Sequence, residues 1–409
     1  MFKHRGRQLS STWRVVRSLA QGRWGPLPAE GILGIRGSGQ TGFPLVHFRP
    51  HGNAVGPHPW HMHAFKEGTA MPFRHIATGA LVTGLVLVAA PTLPAATAAA
   101  LPPGCTSGAL PTGGVHLVCT QGVPAGTTLS GTDQADIIEV RGGDDVSGHL
   151  AGVVNGLGGD DVVIVDKILS SGSGRNVRGA IDGGDGDDKI TVTDKDKFSV
   201  QGTIHGGAGN DTITTGEVSY LGDIDGGAGN DVITTGDVYS STIDGGDGND
   251  ILRLTAFRVP GYDKASRLDG GGGNDTITVG KLAGPLHGGP GADEITVDGT
   301  TPIESRLPKP ATVDGDEGDD VIRVEAIGAG DGARATCVSG GAGADLIEVP
   351  SAGQDGYATV SGDDDDDVIQ GPGATPVVLG PYGTVDGGGG DNTCRTDNNA
   401  GGTVTNCQS

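Results

Sequence analysis

The sequence predicts an all-β chain wound into a parallel β-solenoid. Three observations carry that expectation. A nine-residue glycine–aspartate frame recurs along most of the chain, with starts 18 to 28 residues apart, and self-similarity at such a period means stacked repeats. Large aliphatic residues sit at fixed offsets on both sides of each frame. From about residue 99 onward there are only seven aromatics, no tryptophan, and 17 basic against 48 acidic residues, a net charge of −31. So few large side chains and so much self-repulsion exclude a conventional globular core.

The elements follow in chain order. Residues 1–70 hold all three tryptophans, six of the eleven histidines, and nine Lys and Arg against two acidic residues. They read as a mis-assigned translation start or a disordered basic extension. His58, His61 and His63 in HPWHMHAF are potential metal ligands, but no folded frame surrounds them. Residues 71–98 read as a secretory signal peptide: Arg74 and His75 precede the apolar run IATGALVTGLVLVAA, and PTLPAATAAA supplies small residues for cleavage. The run is shorter than the roughly 20 residues of a membrane span, and no basic stop-transfer cluster follows. The secreted product is therefore expected to lack residues 1–98.

Residues 99–129 read as an N-terminal linker closed by Cys105 and Cys119, and residues 394–409 as a C-terminal cap closed by Cys394 and Cys407. Short-range pairs bracketing an exported chain read as disulfides, which leaves Cys337 unpaired.

Residues 130–393 carry the repeat. The frame G-G-x-G-x-D-x-U-x, with U a large aliphatic, is laid at Asn155, Gly183, Gly206, Gly226, Gly245, Gly270, Gly288, Gly315, Gly340, Gly362 and Gly387. The stretch GGAGNDTIT at Gly206 and its echo GGAGNDVIT at Gly226 show it most plainly. Glycines reach conformations closed to other residues, so the backbone can curl with its carbonyl oxygens inward. Carbonyls and a carboxylate together make the hard oxygen cage that Ca²⁺ prefers. The x-U-x that follows is a short strand with one inward side chain. A second aliphatic lies two residues before the first glycine: Ile181, Ile204, Ile224, Ile243, Leu268, Leu286, Val313, Val338, Val360 and Val385. Two inward positions imply two short strands per coil.

With these residues in view the sequence resembles the RTX family of haemolysin-type calcium-binding repeat proteins. The resemblance spans roughly residues 130–393 and implies a parallel β-roll with calcium held at the glycine–aspartate turns. It assigns the metal-ligating carboxylates to Asp160, Asp188, Asp211, Asp231, Asp250, Asp275, Asp293, Asp320, Asp345 and Asp367. Three departures matter. Only GTDQADIIE and VRGGDDVSG, residues 131–148, stand in direct tandem, so one calcium edge is expected rather than two. The frame at Gly362 reads GDDDDDVIQ, with aspartates at both later glycine positions. At Gly387 Asn392 takes the ligand position and Cys394 the aliphatic one, as suits a terminal cap.

Two functions compete. One is a secreted calcium-binding module with a structural or interaction role at the cell surface or in the extracellular matrix, its partner a polysaccharide or protein there. The other is a polysaccharide lyase or epimerase on a β-helix. For that, RLTAFRVPGYDKASR (253–267) offers Arg253, Arg258, Lys264 and Arg267 with Phe257 and Tyr262, and IESRLPKPAT (303–312) offers Arg306 and Lys309. Solvated loops whose basic residues offset neighbouring carboxylates explain both segments equally. A plain calcium buffer is a third reading. No H-E-x-x-H, G-x-S-x-G or Walker sequence occurs, so no catalytic residue is assigned. A net charge of −31 excludes nucleic-acid binding by phosphate neutralisation.

Overall fold

The computed structural model describes residues 101–142, 149–169, 178–194, 199–219, 222–260, 265–300, 310–325, 327, 336–354, 356–398 and 400–408, together with four short strands nearer the N-terminus. The chain divides into two units, residues 1–94 and 95–409. In the first, Gly31–Leu33 pairs antiparallel with Val46–Phe48, and Phe65–Lys66 with Thr69–Ala70. The remainder of residues 1–98, including His58, His61, His63 and the apolar run at 76–90, lies outside the described residues. Among the described residues no helix is long and apolar enough to cross a membrane.

The second unit is a parallel β-solenoid. Each coil sends one strand into the glycine–aspartate turn and one strand out of it. Entering strands such as Thr203–Ala208, Asp223–Ala228 and Thr242–Asp247 stack in register, Ile204 on Ile224 on Ile243, in a 13-stranded sheet (sheet 1). Leaving strands such as Thr212–Thr214, Val232–Tyr239 and Ile251–Arg258 stack Ile213 on Ile233 on Leu252 in a 16-stranded sheet (sheet 2). The alternation of strand side chains sends these aliphatics inward, and all six are fully buried. Removing each such side chain from water contributes about 1.5–3 kcal/mol, so the core is a sum of small layers.

Two inward positions are not the whole core. Val123, Leu150, Ile168, Val200 and Val218 bridge one another in successive coils and form a third inward column. A fourth runs along sheet 2 through Leu254, Val279, Val297 and Val324. Their spacing from the glycine frame is irregular or longer than the frame itself, which hides them in the sequence. Because turns and strands keep register, the variation in coil length falls between the leaving strand and the next entering strand.

The ends of the solenoid differ from the sequence expectation. Residues 99–129 are not a linker: Val115–Cys119 pairs in parallel with Ile137–Val140, Thr128–Ser130 pairs with Val153–Gly158, and Leu117, Val123 and Leu129 are core residues. Cys105–Ala109 folds back antiparallel on Val115–Cys119 and becomes the exposed edge strand of sheet 2, which ends the parallel stacking there. At the other end Cys394 stacks on Ile369, and Thr403–Thr405 pairs with Gly383–Asp386. Residues 394–409 thus complete a last coil. The disulfides join Cys105 to Cys119 and Cys394 to Cys407, and Cys337 is free.

Candidate metal centre

One turn shows what the frame does. In the coil of Gly226, Gly227 has φ +113° and Gly229 has φ +130°, conformations that L side chains rarely adopt. Gly226 is needed for a different reason: a Cβ there would collide with Oδ2 of Asp231 and with the carbonyl oxygen of Gly245 in the next coil. The first glycine therefore keeps open a gap that a carboxylate oxygen and a carbonyl oxygen both face. The same pair of neighbours recurs at Gly183, Gly206, Gly245, Gly270, Gly288, Gly315, Gly340 and Gly362.

The aspartates form one continuous row. The backbone N–H of Asp211 donates to Oδ1 of Asp231 at 2.6 Å, Asp231 N–H to Asp250 Oδ1 at 2.7 Å, and Asp250 N–H to Asp275 Oδ1 at 2.7 Å. The row runs without a break from Asp136 through Asp161, Asp188, Asp211, Asp231, Asp250, Asp275, Asp293, Asp320, Asp345 and Asp367 to Asn392. Each carboxylate spends one oxygen on the coil before it. The other oxygen, Oδ2, is buried without a hydrogen-bond partner in all ten aspartates from Asp161 to Asp367. An unpaired buried polar atom costs about 1–3 kcal/mol, and more when it is charged.

The electrostatics agree. Burial raises Asp188, Asp275, Asp320 and Asp345 to about 7. It raises Asp161, Asp211, Asp231, Asp250, Asp293 and Asp367 to about 6. The backbone N–H bond on Oδ1 opposes the shift, while nearby carboxylates, the row neighbour in most coils, add to it. A file of carboxylates with orphaned oxygens and facing carbonyls fits a hard cation with oxygen ligands. The row would hold such ions, and their charge would replace protons on Oδ2.

Nine of the ten carboxylates expected from the sequence stand in this row. Asp160 does not. Register pairs Asn155 with Asp182, so the frame of that coil begins at Gly156 and its row member is Asp161. Asp160 instead accepts the N–H of Asp187 at 3.1 Å in an exposed outer file, which continues through Asn210, Asn230, Asn249 and Asn274. Val154, two residues before Gly156, marks the correct frame. Asp136 was missed because its repeat, GTDQADIIE, keeps only one of the glycines.

The two ends of the row are closed without a cation. At Asp136 the N–H groups of Val115 and Thr132 and the Thr132 hydroxyl occupy both oxygens. At Asn392 the side-chain Oδ1 accepts from Asp367 N–H at 2.7 Å, and its Nδ2 donates to the Gly389 carbonyl at 2.5 Å.

The described residues of the first basic segment do not converge on one face. Arg253 to Arg258 are part of strand Ile251–Arg258. Phe257 is fully buried, and Arg258 pairs with Asp237 at 2.6 Å. Arg267 lies on the other sheet, bound to Asp244 at 2.5 Å and Asp269 at 2.8 Å. There it borders a surface cavity of about 660 Å³ with His205, Asp225, Asp244 and Asp269 over a glycine floor. Tyr262, Lys264, Arg306 and Lys309 lie outside the described residues.

A family model for the RTX calcium-binding nonapeptide repeat matches four copies, over residues 203–217 and 261–281. No curated protein matches the chain.

Proposed function

The chain carries the RTX calcium-binding nonapeptide repeat on a parallel β-solenoid, and from that premise we propose that it is a secreted protein that folds around a file of Ca²⁺ ions. The observation that carries this reading is the run of ten buried, unpartnered Oδ2 atoms, each beside a backbone carbonyl of the next coil. Bound calcium supplies the positive charge that an acidic chain with few large apolar side chains lacks. Ions bound only by the folded state contribute their binding free energy to folding.

Extracellular modules bind calcium at roughly 10⁻⁴ to 10⁻³ M, so the chain stays open at cytosolic calcium and closes outside. The ligands are Asp161, Asp188, Asp211, Asp231, Asp250, Asp275, Asp293, Asp320, Asp345 and Asp367. Its role is structural or adhesive, at the cell surface or in the matrix, rather than catalytic. Support for that choice is the pairing of Arg258 and Arg267 with neighbouring aspartates, which occupies two of the basic residues the sequence offers to a uronic-acid enzyme. Residues 1–98 are removed on export.

The test is calcium binding and processing together. Equilibrium dialysis against ⁴⁵Ca is expected to find several ions per chain, and N-terminal sequencing of the secreted product a start near residue 99. Fewer than two ions per chain rejects the calcium file. A secreted chain beginning at Met1 rejects the export reading.

A further inference from the structure

On the outer face of sheet 1, in the turn that also carries row member Asp320, register creates a cluster that the repeat does not require. His287 lies in strand Pro285–Pro290, and Asp314 and Asp316 lie in the next strand, Thr312–Glu317. His287 pairs directly with Asp314, and Gly289 with Asp316. One ligand atom from each of the three residues lies within 4.8 Å of the other two, and His287 Nδ1 is 3.1 Å from Asp316 Oδ2. All three side chains are half-buried, open to solvent yet fixed on paired strands, where positions are held better than on loops.

The molecule contains its own comparison. His205 and Asp225 are register partners in the same outer file, with Nδ1 3.3 Å from Oδ2. There the third position is Gly227, as it is glycine in most coils, with positive φ. In the coil of Asp314 that glycine is replaced by Asp316, at φ +71°. The next carboxylate along, Asp269, is already engaged by Arg267. Among the described residues, only at His287 do an imidazole and two carboxylates without an arginine partner meet. Two like charges this close repel, and a cation between them relieves both.

We propose that His287, Asp314 and Asp316 form a site for a divalent transition cation, Zn²⁺ in chemical type, distinct from the calcium file. Imidazole nitrogen suits zinc, cobalt, nickel and copper, whereas calcium takes six to eight oxygens. One nitrogen and two carboxylate oxygens are a three-residue set that leaves a further position for water or a partner's side chain. The assignment uses none of the row aspartates as ligands.

The full chain, untagged and kept folded in millimolar calcium, is titrated with Zn²⁺ by calorimetry and with Co²⁺ by visible absorption. One tightly bound transition ion at this site is expected to persist in excess calcium. The variant Asp316→Gly places glycine where the backbone favours it, so circular dichroism stays unchanged while affinity at this site falls more than about 100-fold, beyond the effect of losing an outer-shell partner. His287→Gln loses the same equivalent, and His205→Gln keeps it. Imidazoles in residues 1–94 contribute equally to all variants and cancel in the comparison. Wild-type and Asp316→Gly chains that bind zinc identically, or a zinc ion that calcium displaces, overturn the proposal. Should Asp316→Gly not fold, the difference between His287→Gln and His205→Gln decides it.

Discussion

The interior of the aspartate row and its two ends use the same turn but close it differently. At Asp136 backbone N–H groups occupy both carboxylate oxygens, and at Asn392 an amide donates where a carboxylate cannot. Between them ten Oδ2 atoms have no donor at all. The ends thus satisfy with hydrogen bonds what the interior leaves unpaired. The interior presents a file of buried carboxylate oxygens with no donor, the feature on which the calcium proposal rests.

Filling that gap from the protein side has the largest expected effect. Gly226→Val places a branched side chain against Asp231 Oδ2 and the Gly245 carbonyl. Overpacking costs about 1–3 kcal/mol or more, and here both obstacles are held by neighbouring coils. The expected outcome is loss of cooperative folding at every calcium concentration, read by circular dichroism.

Exchanging the interior and end residues tests the comparison itself. Asp231→Asn keeps Oδ1 as acceptor for Asp211 N–H and turns Oδ2 into a donor beside the Gly245 carbonyl, whereas the Asn392 amide donates to Gly389 of its own turn. It is expected to stabilise the chain in chelator by about 1–3 kcal/mol, the cost of an unpaired buried polar group, and to raise the calcium midpoint. Asn392→Asp is expected to do the reverse in chelator. The residual β-signal in chelator and the calcium midpoint of both variants check the signs. Equal signs in the two conditions break the comparison.

Acidity comes next. The row carboxylates titrate at about 6 to 7 when folded and near the ordinary aspartate value of about 3.9 when unfolded. A raised folded value favours the protonated form, so this contribution is full below about pH 4 and is lost as pH rises through 6 to 7. In chelator, then, the chain should hold more β-structure at pH 5 than at pH 8. In calcium the order of stability reverses, because protons compete for the same oxygens. A β-signal in chelator that rises from pH 5 to pH 8 contradicts the buried, unpartnered row.

The smallest effect belongs outside the turn. Asp237 pairs with Arg258 on the surface, and such pairs are worth about 0–1 kcal/mol. Asp237→Ala should leave the calcium midpoint unchanged, while Asp231→Ala and Asp250→Ala shift it.

Much of this was legible in the sequence, and the reasons are specific. GGAGND states its own geometry: two glycines for positive φ, one for the gap, and an aspartate to face it. Where the frame was degenerate, register alone settled the residue, so Asp160 stood in for Asp161 and Asp136 went unassigned. The first coil looked like a linker because Val115–Cys119 carries no glycine turn of its own, and its place follows only from pairing with Ile137–Val140. The cluster of His287, Asp314 and Asp316 was not legible, since residues 27 apart in sequence become neighbours only through coil length.

Whether cations in the aspartate row hold the solenoid together is decided by far-UV circular dichroism of the purified chain at neutral pH, begun in excess chelator and titrated with calcium. A largely unfolded spectrum is expected to convert cooperatively to β-structure in the range of roughly 10⁻⁴ to 10⁻³ M calcium. Full β-structure in chelator, unchanged when calcium is added, would contradict that expectation.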